Sequence, residues 1–226
     1  KGWGDDSQEN IETMLNEERQ KMWDFIDELV ADKSIFDVFI LPNDYNNIKA
    51  AIKESIMTYD YPGVYISEST MNPNMIRTAI KERTYQELPE SIQAVAQDAH
   101  DLYLRTGDGQ LCDIMVDKAC LDAILRAGEA SKDDFLKMYA ELKVVSADIK
   151  TAVRACLTGK NKDFMTMAMA GCETLDISSL IAAALTGEDA IMAYLTNTDY
   201  ADAIPELKKS PAAFERWCDN LITNRM

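Results

Sequence analysis

The chain has 226 residues, 47% of them hydrophobic, with a net charge of −16 and a pI of about 4.4. So acidic a balance argues against nucleic-acid binding by phosphate neutralisation, and equally against docking on anionic lipid. The five cysteines, at 112, 120, 156, 172 and 218, form no CxxC pair and read as reduced thiols of a helical core in a cytoplasmic protein.

No apolar run is long enough to span a bilayer, and the first residues lack a signal-peptide core. Residues 1–10 read as a polar connection. Residues 11–30 read as a helix with Ile11, Leu15, Met22, Phe25, Ile26 and Leu29 on one face, interrupted by Glu18 and Arg19. The apolar run 35–40 is expected to be a helical turn, stopped by Leu41-Pro42-Asn43-Asp44. Asp44 then reads as the N-cap of a helix over 45–57. Residues 58–71 are the least regular segment, with a turn at Pro62-Gly63. Asn72 caps the next helix, with Pro73 in its first turn and Met75, Ile76, Ala79 and Ile80 as its apolar face. Residues 85–88 connect to a helix opened by Pro89, striped with Ile92, Val95, Ala96, Ala99, Leu102 and Tyr103.

Gly107-Asp108-Gly109 marks a turn without the further ligands of a calcium loop. A helix over 111–126 is apolar on a wide arc, and Gly128 is expected to end it. The longest stripe follows over 133–158, with Phe135, Met138, Leu142, Val145, Ile149 and Val153 at steps of three and four. Gly159 closes it as a C′ glycine. A short Met-rich helix over 160–170 is broken by Gly171. Asp176 caps a helix with Ile177, Leu180, Ile181 and Ala184, ended by Gly187. Short elements at 190–195 and 200–204 precede a last helix capped by Ser210-Pro211, with Phe214, Trp217, Cys218, Leu221 and Ile222 buried.

Parts of this pattern occur twice. Asn47-Ile48-Lys49-Ala50-Ala51 aligns with Asp148-Ile149-Lys150-Thr151-Ala152 at an offset of 101. The caps Asn72 and Asp176 are offset by 104, and Tyr85 and Tyr200 by 115. Insertions between helices produce such a drift, because loops tolerate them and helix interiors do not. The fold class is therefore all-α: repeated multi-helix units in a helical bundle array. The polar opening and the stop at Met226 after a helical pattern read as the edges of a piece of something longer.

Three stretches carry a family signature. They are Asp44-Tyr45-Asn46-Asn47-Ile48-Lys49, then Tyr85-Gln86-Glu87-Leu88-Pro89 with Leu111-Cys112-Asp113-Ile114-Met115-Val116-Asp117-Lys118, then Asp148-Ile149-Lys150-Thr151-Ala152-Val153-Arg154-Ala155 with Asp163-Phe164. In pattern and order they resemble the C subunit of bacterial and archaeal V/A-type rotary ATPases, the counterpart of the d subunit in vacuolar ATPases. The likeness runs from about residue 11 to the end. Asp148 stands where that family usually has Asn.

The resemblance implies three similar helical units arranged as a funnel. Residues 1–105 would be a first unit, incomplete at its start, and 106–226 a second running into an incomplete third. It also implies a non-catalytic subunit without cofactors, on the cytoplasmic face of the membrane. In that role the protein couples the rotor ring of the membrane sector to the central-stalk subunits during proton or sodium transport. Neither nucleic acid nor a direct membrane span belongs to that role. A free-standing all-α repeat adaptor, binding a helical peptide or protein in a concave groove, is the alternative.

The candidate partner-binding or socket-supporting residues are Asp44, Lys49, Lys53, Asp148, Lys150 and Arg154. For any one of them the plainer reading is favoured: a helix cap plus a solvated face of weak ion pairs, each about 0.2–0.5 kcal/mol. Asp113 and Asp117, four apart, repel weakly unless a cation or basic partner lies between them. His100, the lone histidine, lacks the second ligand set of a metal site and leaves no usual nucleophile–base pair. Met165, Met167 and Met169 read as core, or as an adaptable partner surface. No phosphate-binding glycine loop is present in the sequence.

Overall fold

Eleven helices in chain order account for the described residues, and two short 3-10 turns and one isolated bridge, Cys172 to Leu175, are the other regular features. The computed structural model describes residues 8–30, 33–56 and 64–225. The chain is all-α, as the helical periodicities require. The expected turn at Pro62-Gly63 lies outside the described residues.

The chain divides into two compact units, residues 1–36 and 37–226. In the first, α1 (Gln8–Leu29) begins within the stretch expected to be a polar connection, and the rest of that stretch lies outside the described residues. A 3-10 turn, Lys33–Phe36, follows, and the Trp23 ring meets Phe36 edge-on at 6.0 Å. The apolar stripe of α1 is not buried: Ile11, Leu15, Met22, Phe25 and Leu29 are 48–66% exposed.

The second unit opens with α2 (Asp37–Ile56), which corrects the sequence reading. Pro42 was expected to stop the run 35–40, and Asp44 to cap a new helix. Instead one helix runs through both. Proline removes one helix hydrogen bond and costs roughly 3 kcal/mol in an ordinary helix interior. Burial on both sides of Pro42 offsets this: Val38 and Tyr45 are 1% exposed and Ile48 0%. Tertiary packing thus overrides the local stop signal.

Next come α3 (Pro73–Glu82), a 3-10 turn Tyr85–Glu87, α4 (Glu90–Thr106) and α5 (Gly109–Ser131). Asn72 caps α3 as expected, its side chain accepting from Asn74 N. The end expected at Gly128 is also corrected: α5 continues to Ser131, and Gly128 is buried inside it. A Cβ on Gly128 would lie 2.7 Å from Ala140 Cβ and 3.2 Å from the Leu136 carbonyl oxygen. The residue therefore serves a close crossing of α5 and α6, not a helix end.

The longest helix, α6 (Asp134–Thr158), is capped by Asp133, which accepts from Phe135 N and Leu136 N. Gly159 ends it in the left-handed conformation, φ 65°. Phe135, expected on its apolar stripe, is 48% exposed. Then follow α7 (Lys162–Ala168), α8 (Ile177–Thr186), α9 (Glu188–Leu195), α10 (Ala203–Lys209) and α11 (Pro211–Arg225). Asp176 caps α8, and Ser210 Oγ accepts from Ala213 N at the start of α11. Met165 and Met169 are buried core residues, at 0% and 2% exposure. All five cysteines are free thiols, with Cys112, Cys120 and Cys218 buried.

Two hydrophobic cores result. One joins Tyr45, Ile48 and Ile52 of α2 to Ile76 and Ile80 of α3, Ile92 of α4 and Val116 of α5. The other joins Val145 and Ile149 of α6 to Met165, Leu180, Ile191, Tyr200 and Phe214. Ala140 belongs to the first core and Leu142 to the second, so α6 is a wall shared by both.

Candidate functional site

Polar side chains on α2 and α6 do two jobs, and each job recurs in both copies. The first is to hold the segment that follows. Asn47 is wholly buried; its Nδ2 donates to Ile66 O at 2.9 Å and its Oδ1 accepts from Ile66 N at 2.8 Å. Asp148, offset by 101, is also wholly buried and accepts from Ala170 N and Gly171 N, both at 3.1 Å. Gly171 has φ +82°, a conformation that suits glycine.

Asp44 belongs to this holding group. It is 0% exposed and accepts from Thr70 Oγ1 at 2.7 Å and Met71 N at 3.2 Å. Asn43 adds a bond to Glu68 O at 2.6 Å. Burial raises the Asp44 carboxyl above its usual value, although Thr70 and Met71 oppose this by stabilising the anion. Burial pushes Asp148 up to about 6, against the same kind of backbone support. Both aspartates act on loops and present no surface of their own.

The second job is to tie the first helix of each copy to a later one. Lys49 Nζ lies 2.6 Å from Asp117 Oδ1, and Lys53 Nζ 2.7 Å from Asp113 Oδ1, joining α2 to α5. These lysines supply the basic partners that the Asp113/Asp117 pair needs. In the second copy Lys150 Nζ is 2.9 Å from Asp219 Oδ1 and 3.3 Å from Glu215 Oε2, and Arg154 is 2.6 Å from Glu215 Oε1, joining α6 to α11. The cations are offset by 101 and the acids by 102. Burial alone would lower the Lys150 pKa, but its bonds to Asp219 and Glu215 hold it above the usual value. Burial would raise Glu215, but Arg154 and Lys150 hold it below the usual range.

Sequence reasoning missed Glu215 and Asp219, although their acid-x3-acid spacing repeats that of Asp113 and Asp117. It also missed Glu54. Arg77 donates to both Glu54 oxygens, at 2.9 and 2.6 Å, and Tyr65 OH bonds the same carboxylate.

His100, buried in the first core, meets a serine and a tyrosine. Ser55 Oγ lies 2.9 Å from its Nε2 and Tyr85 OH 2.8 Å from Nδ1. Ser55 already donates its proton to Ile52 O at 2.7 Å, so it receives the Nε2–H and is not activated. Nδ1 is then the acceptor for Tyr85. Burial, then Arg83, lower the His100 pKa against the opposing pull of Asp101, so the ring is neutral. The arrangement ties Tyr85, from the Tyr-x-x-Leu-Pro stretch, into the first core. Among the described residues no group of three or more His, Cys, Asp or Glu is placed to hold a metal ion.

Between α2, α5 and α6 lies an open groove of ≈ 700 Å³. Lys150 and Arg154 line it, with Tyr45, Asp117, Ile124 and Phe164. Among the described residues no helix is long and apolar enough to cross a membrane.

A family model described as ATP synthase (C/AC39) subunit matches residues 4–226. The C subunit of the V-type sodium ATPase of Enterococcus hirae is 20% identical over 198 residues, covering 88% of this chain. The chain spans 60% of that relative's length. No solved structure gives a significant match. With the family model spanning both helical copies and the helix that precedes them, the chain belongs to the ATP synthase (C/AC39) subunit family.

Proposed function

We propose that this chain is part of a non-catalytic subunit that couples the membrane rotor ring to the central stalk of a V/A-type rotary ATPase. The observation that carries the reading is the family match from residue 4 to 226, which takes in both copies of the helical unit. The relative from Enterococcus hirae is a subunit of a V-type sodium ATPase and supports the same class of complex. A coupling element must pass torque without internal slip. Helices packed around two cores that share α6, with first and later helices cross-tied in each copy, suit that demand, because close-packed interiors transmit strain. In this reading the protein sits peripherally on the cytoplasmic face, its partners are rotor-ring and central-stalk subunits, and no nucleic acid is involved. Division of the chain near residue 105, as a first and a second unit of a funnel, remains part of the proposal.

The test is affinity capture of the full-length protein from solubilised membranes of its own source, with captured proteins identified by mass. Recovery of ring and central-stalk subunits is the expected result. Clean recovery of another partner without ATPase subunits would overturn the reading.

A further inference from the structure

The net charge of −16 favours basic partners, yet the groove between α2, α5 and α6 has the opposite sign. Its lining carries Lys143, Lys150, Arg154 and Lys160 against the carboxylate of Asp117, which is already bonded to Lys49. Lys150 and Arg154 are tied to α11, but Arg154 remains 68% exposed. Lys143 and Lys160 form no ion pair among the described residues. Lys143 Nζ lies 5.7 Å from the centre of the Tyr139 ring. Lys160 Nζ stands 4.8 Å over the Phe164 ring and 2.9 Å from Gln110 Oε1. The aromatic faces hold both ammonium groups near the groove without neutralising them.

Between these cations the half-buried side chains of Ile114 and Leu121 on the α5 side and Ala147 on the α6 side form an apolar floor, with Ile124 and Ala155 buried beneath them. One helical turn, 5.4 Å long and about 10 Å across, fills roughly 400 Å³, so the ≈ 700 Å³ groove takes roughly one and a half to two turns.

We propose that this groove receives an acidic amphipathic helix of a partner protein in the same complex, its apolar stripe on the floor and its carboxylates toward Lys143, Lys160 and Arg154. The proposal rests on the reading of the chain as one subunit of a larger complex. It runs against what net charge alone would select: overall charge governs long-range steering, while the charges at the contact decide the partner.

The test uses the full-length protein and two helix-stapled peptides with the same Leu/Ala face, one flanked by Glu and the other by Lys. Binding is followed by fluorescence anisotropy at low and high salt. The Glu peptide should bind at least about tenfold more tightly than the Lys peptide, and added salt should weaken it. Lys143→Glu with Lys160→Glu should cost about tenfold or more, with circular dichroism showing the fold intact. Ala147→Trp, which fills the floor without changing charge, should also abolish binding. Equal affinity for the two peptides, or unchanged binding in both variants, would overturn the proposal. So would full displacement by inorganic phosphate, which would make the groove a simple anion site. Charge-dependent dimerisation in place of peptide binding would overturn it too, by making the occupant a second copy. If capture recovers ATPase subunits but the peptide fails, the groove assignment falls alone. If the peptide binds but capture recovers no ATPase subunit, the coupling reading falls alone.

Discussion

Asn47 and Asp148 stand at equivalent places in two copies of one helix, and each grips the backbone of the segment that follows. Their bonds differ in one respect. Asn47 gives one bond and takes one from Ile66, whereas Asp148 takes two, from Ala170 and Gly171. A carboxylate suits two N–H donors and an amide suits one donor with one acceptor. The second copy thus gains two charge-assisted bonds but buries an anion.

That burial gives a pH signature. The folded pKa of Asp148, about 6, lies above the unfolded value of about 3.9, so the folded state binds more protons between them. Its contribution is most favourable below pH 4 and is lost as pH rises through about 6, a change of about 3 kcal/mol at most. Asp148→Asn removes the titration but loses one acceptor toward Gly171. The melting temperature of the variant relative to the wild type should therefore improve from pH 4 to pH 7. A difference that stays flat across that range would show that Asp148 titrates like an ordinary surface carboxylate.

Asn47→Ala removes both bonds to Ile66 without adding a charge. Ile66 is half-buried, so water restores part of the loss, and a cost of about 2 kcal/mol is expected with no new pH dependence. Urea unfolding measures this through a lower midpoint at constant slope. A cost below about 0.5 kcal/mol would mean that the segment is held by Asn43 and Asp44 alone.

Glu54 holds Arg77 and Tyr65 and is 11% exposed in its side chain. Glu54→Gln keeps the shape but weakens two charge-assisted bonds, so a loss of about 2–3 kcal/mol is expected. Arg77→Lys should lose nearly as much, because an ammonium cannot reproduce the paired contact. Urea denaturation checks both, and a neutral Arg77→Lys would mean that charge alone suffices.

How far these features were legible in the sequence follows from their range. The caps Asn72, Asp176, Gly159 and Ser210 depend on chemistry within a few residues, and their identities announced them. Pro42 and Gly128 misled because each carries a local stop signal that packing overrides. Lys49, Lys53, Lys150 and Arg154 stand out as polar residues of a repeated helix, but their partners lie 60–69 residues away. Only acid-x3-acid spacing hints at those partners, and sequence reasoning took it up in α5 but not in α11. The clamping role of Asp44 and Asp148 was hidden because a cap and a wholly buried clamp use the same residue.

Gly128 tests the close crossing directly. Alanine would raise helix propensity by about 1 kcal/mol, but its Cβ would fall 2.7 Å from Ala140 Cβ. Overpacking should win, for a net loss of about 1–3 kcal/mol. Ala140→Gly in the same chain should restore most of that loss, giving a coupling that a double-mutant cycle reads out. Additive effects would mean that α5 and α6 move apart freely at this point.

The cross-ties between helices bear most directly on the proposed passage of torque. The side chains of Lys53 and Asp113 are 37% and 33% exposed, against 68% and 35% for Arg154 and Glu215. Water screens both pairs, so each should contribute under about 1 kcal/mol, with the Lys53–Asp113 pair the stronger. Their value lies in register: sliding α2 along α5 by one turn would set each lysine opposite the wrong carboxylate or none. Double-mutant cycles replacing each pair by Met and Asn, run at low and high salt, should give couplings that are small, ordered in this way and reduced by salt. A coupling above about 2 kcal/mol would make the pairs a main source of stability instead. No coupling at low salt in either copy would leave the packed cores alone to resist shear.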